Sequence, residues 1–164
     1  GKVVNSYEFN NFINLKFYER IIDTISISEL ITKISKVIYD IQPDILYIPN
    51  RSDVNSDHRI AFQAIYPCTK NFRYPFIKSI LMYETLSETE FSPPLAENSF
   101  IPNTFVDITD FIEKKIEIMK LYETEIMPDP LPRSAHAIKG LAAFRGSRIG
   151  VRYAEAFMSI FQKY

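Results

Sequence analysis

Apolar positions along the chain change period as the strands and helices of an α/β protein would. Leu30, Ile31, Ile34, Val37, Ile38 and Ile41 recur at helical spacing behind Ser26-Ile27-Ser28-Glu29, which has the form of a capping box. Pro43 stops that helix, because it has no N–H to continue the ladder. Ile45 to Ile48 is then a continuous apolar run, the pattern of a strand buried on both faces of a parallel sheet. After a polar loop, Ile60, Ala61, Phe62, Ala64 and Ile65 predict a helix ending by Pro67. Residues 78–84 read as a second strand and 105–108 as a third. Thr109 is placed to cap a helix carrying Ile112, Ile116, Met119 and Tyr122. Ser134 opens a helix through Ile138, Leu141, Ala142 and Phe144, and residues 153–160 close the chain as a strand. Residues 3–12, rich in β-branched and aromatic side chains, read as a ragged strand. Residues 85–103, with Pro93, Pro94 and Pro102, form a loop of a length that usually has a function.

Strands alternating with helices predict an α/β fold with a parallel sheet. A length of 164 residues, 46% of them hydrophobic, suits one domain with a true core. A net charge of −1 without basic runs excludes an electrostatic nucleic-acid binder. No apolar stretch approaches a membrane span, so no transmembrane segment is expected. A lone cysteine, Cys68, excludes an internal disulfide framework and fits a cytoplasmic setting. It reads as a small core hydrophobe.

The candidate chemistry lies in Asp53-Val54-Asn55-Ser56-Asp57-His58-Arg59, between the strand at 45–48 and the helix from Ile60. Ligands of open α/β sheets bind at such strand-loop-helix mouths. A neutral imidazole beside carboxylates suits a borderline divalent cation, with Asp53 or Asp57 as ligand or supporting partner. The same residues also read as framework: His58 bonded to a backbone carbonyl, and Asp57 and Asn55 as cap and turn residues. Arg145 likewise reads as a helix-end cation and Glu155 as an exposed charge. Both sets of readings stand on pattern alone.

The ordered set of segments resembles the LmbE-like/PIG-L family of zinc-dependent N-acetylglucosaminyl deacetylases. Asp53-x-Asn55-x-Asp57-His58-Arg59 is similar to its second metal motif. Residues 92–108, with Pro102-Asn103-x-Phe105-Val106-Asp107-Ile108, are similar to its middle block. Pro132-Arg133-Ser134, Arg145-Gly146, Gly150 and Tyr153-Ala154-Glu155-Ala156-Phe157 are similar to its C-terminal block. The implied fold is one Rossmann-like domain over residues 1–164: a three-layer, mostly parallel sheet with helices on both faces, truncated at its N-terminus. The family's first motif, Ala-His-Pro-Asp-Asp, supplies two zinc ligands and the general base. It has no match here, so Gly1 reads as a cut edge and the isolated chain is expected to be inactive and to bind zinc weakly.

The resemblance implies Zn2+ as cofactor and hydrolysis of the N-acetyl amide of an N-acetylated amino sugar. It implies His58 as the third zinc ligand and Asp57 as its conformational or electrostatic support. Many members carry a histidine where Asn55 stands. Asn55 can donate a hydrogen bond to an oxyanion but cannot transfer a proton. Arg59, Asn103, Arg145 and Glu155 lie within the matched motifs and are the expected substrate contacts. Family members often assemble, which implies a homo-oligomer. The competing expectation is a non-catalytic α/β module that binds a sugar or a protein and has lost its metal site.

Overall fold

The computed structural model describes residues 2–17 and 22–164; Gly1 is not among them. The described elements run in the order α1 (Lys2–Ser6), α2 (Ile27–Ile41), β1 (Ile45–Pro49), α3 (Ser56–Ile65), β2 (Ser79–Tyr83), β3 (Thr104–Asp107), α4 (Ile112–Met119), α5 (Ala135–Ser147) and β4 (Ala154–Gln162). Short 3-10 turns occupy Ile22–Thr24, Tyr66–Thr69 and Ala96–Asn98. The four strands lie in the order β1-β2-β4-β3. β1 and β2 are parallel, with Ile45 opposite Ser79 and Pro49 opposite Tyr83. β2 and β4 are antiparallel, with a register shift between Ile80 and Leu81. The protein is therefore α/β, as the alternating pattern predicts, but its sheet is mixed.

The chain divides into two compact units, residues 15–104 with 157–164, and residues 2–14 with 105–156. In the first, Ile38, Ile48, Cys68, Ile77, Ile80 and Met82 form the buried core, with Ile31, Ile34, Phe62 and Ile65 packed against it. Burying a side chain such as Ile48 or Ile80 contributes about 1.5–3 kcal/mol. The helical stripe of α2 thus faces the core, although Ile41 at its end is exposed. Helix α2 ends in a left-handed Gln42 (φ 52), whose N–H bonds to Ile38 O. Pro43 follows directly, as the sequence predicts. Ser26 stands at the N-cap of α2, but its side chain makes no capping bond, and Glu29 pairs with Lys33 four residues on. The capping box is therefore not formed.

Strand β1 departs from its sequence reading in one respect. Ile48 is buried, but Ile45 and Tyr47 are 44% and 53% exposed. β1 is the terminal strand of the described sheet, so its apolar run is covered only where the core reaches it.

In the second unit, residues 3–12 do not form a strand. Val3 to Ser6 belong to the short helix α1, and the Tyr7 N–H bonds back to Val3 O. β-branched composition is a weak prior where no neighbouring strand takes up the backbone groups. Thr109 also differs from expectation. Helix α4 starts three residues later, behind Phe111, and the Thr109 hydroxyl accepts the Tyr153 N–H at 3.3 Å. Ser134 does cap α5, accepting the Ala137 N–H at 3.1 Å.

Gly146 lies where α5 meets its own exit segment. A Cβ there would stand 2.6 Å from Val151 O and 2.9 Å from Tyr153 N. Both are backbone atoms, so the chain itself would have to move. Gly146→Ala is expected to lower stability by about 1–3 kcal/mol, read as a reduced denaturation midpoint.

Candidate metal centre

The site is assembled at the C-terminal ends of the parallel pair β1 and β2, within the unit of residues 15–104 and 157–164. Pro49 ends β1, and the loop of residues 50–55 leads into α3. Tyr83 ends β2 opposite Pro49, and the long segment from Glu84 follows. Such a switch from strand to loop is the standard location for ligands on open sheets.

Asn55 is the N-cap of α3: its Oδ1 accepts the Asp57 N–H at 2.9 Å. This places Asp57 in the first turn, where a negative charge is favoured by the helix dipole. Asn55→Ala is expected to cost about 1 kcal/mol of stability, measurable by chemical denaturation. The Asn55 side chain thus has a framework task at its oxygen, whatever its amide group does.

His58 sits in the same first turn, and its Nδ1 is 2.8 Å from Asp53 Oδ2. Asp53 is fully buried, whereas the His58 side chain keeps 27% exposure. The second Asp53 oxygen, Oδ1, accepts from Asn50 Nδ2 at 3.0 Å and from the Thr89 hydroxyl at 2.7 Å. Three donors converge on one buried carboxylate, which is how a buried charge is made tolerable. A carboxylate beside Nδ1 selects the tautomer with the proton on Nδ1. The Nε2 lone pair is then the imidazole's available donor, as in a metal-ligating histidine oriented by an acid.

The partner of His58 is therefore Asp53, five residues before it, and not a backbone carbonyl. Asp57, which the motif resemblance implies as support, acts on His58 through its charge. The hydrogen bond that His58 donates to Asp53 raises the His58 pKa above its ordinary 6.5; burial opposes this, and the charges of Asp53, Glu88 and Asp57 add to the rise. A raised native pKa means the folded state holds the proton more tightly than the unfolded chain. The His58–Asp53 contribution is thus complete below about pH 6.5 and is lost as pH rises through the raised native value. The metal-free protein is expected to lose stability over that window. Urea titrations across it should show the slope, and His58→Gln should remove it.

Burial raises the Tyr83 phenol above its ordinary value, with the Asp53 charge adding to it. Tyr83 thus stays neutral through the physiological range.

Arg59 reaches back from α3, and its Nη1 bonds to Asp53 O at 2.7 Å and Val54 O at 2.6 Å. It clamps the loop that carries Asp53. Asn103 braces β4: its Oδ1 accepts the Ser159 N–H at 2.7 Å and its Nδ2 donates to Ser159 O at 3.3 Å. Arg145 and Glu155 belong to the other unit. Arg145 lies in the last turn of α5 with its guanidinium 5.4 Å from the Phe144 ring. Glu155 pairs with Lys115. His58, Asn55, Asp57 and Arg59 are thus brought together around the first turn of α3. Asn50 and Thr89, which pattern reading did not single out, join them through Asp53. The single clue to Thr89 is its place in a long loop after a strand end.

Among the described residues no group of three or more His, Cys, Asp or Glu side chains is arranged to hold a metal ion. The donor chemistry of His58 fits a divalent ion as one ligand. The rest of a coordination shell is not supplied by the described residues.

Neither a family model nor a curated protein sequence matches the chain. Solved structures do. N,N'-diacetylchitobiose deacetylase from Pyrococcus horikoshii, complexed with its inhibitor, aligns with a TM-score of 0.71 and 22% identity, over 97% of this chain and 60% of its own. The conserved protein TT1542 from Thermus thermophilus aligns at 0.75 and 19% identity, over 99% of this chain and 71% of its own. The 4-carboxy-2-hydroxymuconate hydratase from Pseudomonas putida aligns at 0.68 and 16% identity, over 99% and 70%. These likenesses establish a shared fold. The chain spans about three-fifths of the deacetylase's length. A deacetylase and a hydratase on one fold also mean that the fold by itself does not choose the reaction.

Proposed function

We propose that this chain carries part of the catalytic centre of a zinc-dependent deacetylase, hydrolysing the N-acetyl amide of an N-acetylated amino sugar. The observation that carries the reading is the buried Asp53 carboxylate 2.8 Å from His58 Nδ1, at the mouth of the parallel strand pair. It turns Nε2 into a directed metal donor in the position that the motif resemblance assigns to the third zinc ligand. The chitobiose deacetylase's shared fold supports the choice, as does the ordered set of motifs. In this reading residues 1–164 belong to one Rossmann-like domain, and the other metal ligands are provided by residues outside those described.

A bound zinc would supply a polarised amide carbonyl and an acidified water. His58 would hold the ion through Nε2 while Asp53 keeps the ring from rotating. The first turn of α3 would present the Asn55 amide group as a hydrogen-bond donor to the developing oxyanion, its own oxygen remaining on the Asp57 N–H. Asp57 would add negative charge beside the imidazole, which favours a bound cation. Arg59 would hold the loop shut at its carbonyls. Asn103 lies in the matched middle block and is assigned to the sugar side of the reaction.

The test is acetate release from N-acetylglucosamine and N,N'-diacetylchitobiose by the full-length product of the gene. Activity that a chelator removes and zinc restores is expected. A full-length protein that binds zinc but releases no acetate from any N-acetylated sugar overturns the reading.

A further inference from the structure

We propose that Thr89 is a positioning residue for His58: its hydroxyl locks the Asp53 carboxylate in the orientation that holds the imidazole, and the turn of residues 85–89 is built to deliver that hydroxyl. The functional consequence rests on the reading of His58 as a metal ligand, but the positioning itself can be tested without metal.

The hydroxyl has one proton and its direction is fixed. The Thr85 N–H donates to Thr89 Oγ1 at 2.8 Å, which occupies a lone pair there. The proton is then directed to Asp53 Oδ1, 2.7 Å away. The turn is closed on itself, with the Glu88 and Thr89 N–H groups both on Thr85 O at 3.1 and 2.9 Å. Ser87, inside it, has a φ of 72°, a left-handed conformation that L residues seldom adopt. Such strain persists where the surroundings over-determine the backbone, and it collects at functional sites.

The surroundings here are explicit. Glu88 O accepts the Val54 N–H at 3.1 Å, the Ser92 hydroxyl donates to Ser52 O, and Arg51 Nη2 donates to Glu97 O at 2.6 Å. Residues 85–97 are thereby sewn to the loop that carries Asp53. Of the two donors on Asp53 Oδ1, Asn50 belongs to that same loop and moves with it. Thr89 is the donor from outside. It fixes the carboxylate relative to the structure beyond its own loop, and hence fixes the plane of the imidazole bonded to the other oxygen.

A purely structural role would lower the melting temperature of Thr89→Val without changing His58. The positioning role makes two further predictions, both read on the full-length protein. In imidazole nitrogen–proton correlation spectra, His136, the second histidine of these 164 residues, serves as an internal reference. His58 should show the Nδ1-protonated pattern in the wild type and move toward a mixed tautomer in Thr89→Val, with Thr89→Ser restoring it. Zinc affinity, measured by competition with a chromophoric chelator, should fall about tenfold or more in Thr89→Val. Thr89→Ser should recover it to within about threefold, since the hydrogen bond survives. An unchanged His58 tautomer in Thr89→Val overturns the proposal, and so does a Thr89→Ser variant as impaired as Thr89→Val. A tautomer shift in Thr89→Val alongside a wild-type protein that deacetylates nothing overturns the deacetylase reading instead.

Discussion

On the proposed deacetylase reading, His58→Ala in the full-length protein is expected to abolish acetate release, with a loss on the order of 10³-fold or more. The size follows from what the ring does. An imidazole that ligates zinc is present in every step that uses the ion, so its removal affects ground state and transition state together. Loss of fold does not explain such a drop. The His58 side chain is partly exposed, and Ala suits the first turn of a helix whose cap, Asn55, is untouched. Asp53 keeps its bonds from Asn50 and Thr89. The expected outcome is therefore a folded protein with a sharply reduced zinc stoichiometry and no measurable acetate release. Zinc quantification and a thermal melt on the same sample check both halves. A variant within tenfold of wild type in turnover, with full zinc occupancy, would remove His58 from the coordination shell.

Much of this arrangement is readable in the chain. β1, α3 and β2 are marked by apolar runs and by Pro43, and the polar segment between β1 and α3 falls where a sheet presents its ligand site. The Asp53–His58 pair is a local one, five residues apart, and pattern leaves both readings of His58 open until the structure gives it a carboxylate. What pattern cannot give is contact across distance. Thr89 meets Asp53 across 36 residues of sequence through a hydroxyl whose neighbours look like ordinary loop. The sheet's mixed character has the same origin, because apolar content marks 153–160 as a strand without stating its direction. Residues 3–12 and Thr109 depart from expectation for the opposite reason. Their local signals are real propensities, but tertiary partners decide otherwise, and the Thr109 hydroxyl goes to Tyr153. Ser26 shows that a capping sequence can occupy its position without making the bond.

Asp53→Asn makes the second large prediction: at nearly constant volume it removes the carboxylate's charge and reverses the hydrogen bond to His58. The wild-type carboxylate accepts at both oxygens: from Asn50 and Thr89 at Oδ1, and from His58 at Oδ2. An asparagine there has one acceptor and one donor. Asn50 and Thr89 both present hydrogens to Oδ1, so the amide oxygen stays on their side and the NH2 group turns toward His58. His58 Nδ1 must then accept, which places the ring proton on Nε2, the atom that would bind the metal. The substitution is nearly isosteric and keeps the buried polar groups paired, so the fold should persist, with its pH slope above about 6.5 flattened. Zinc binding should nevertheless fall by roughly 10- to 100-fold or more, because the ring must either break its new bond or tautomerise before it can ligate. On the proposed reading, acetate release should fall at least in proportion. Asp53→Ala would confound this by leaving Asn50 and Thr89 donors unpaired in a buried site, a cost of about 1–3 kcal/mol each. The decisive comparison is therefore Asp53→Asn against wild type: unchanged zinc affinity would mean that Asp53 shapes the loop but does not direct the imidazole.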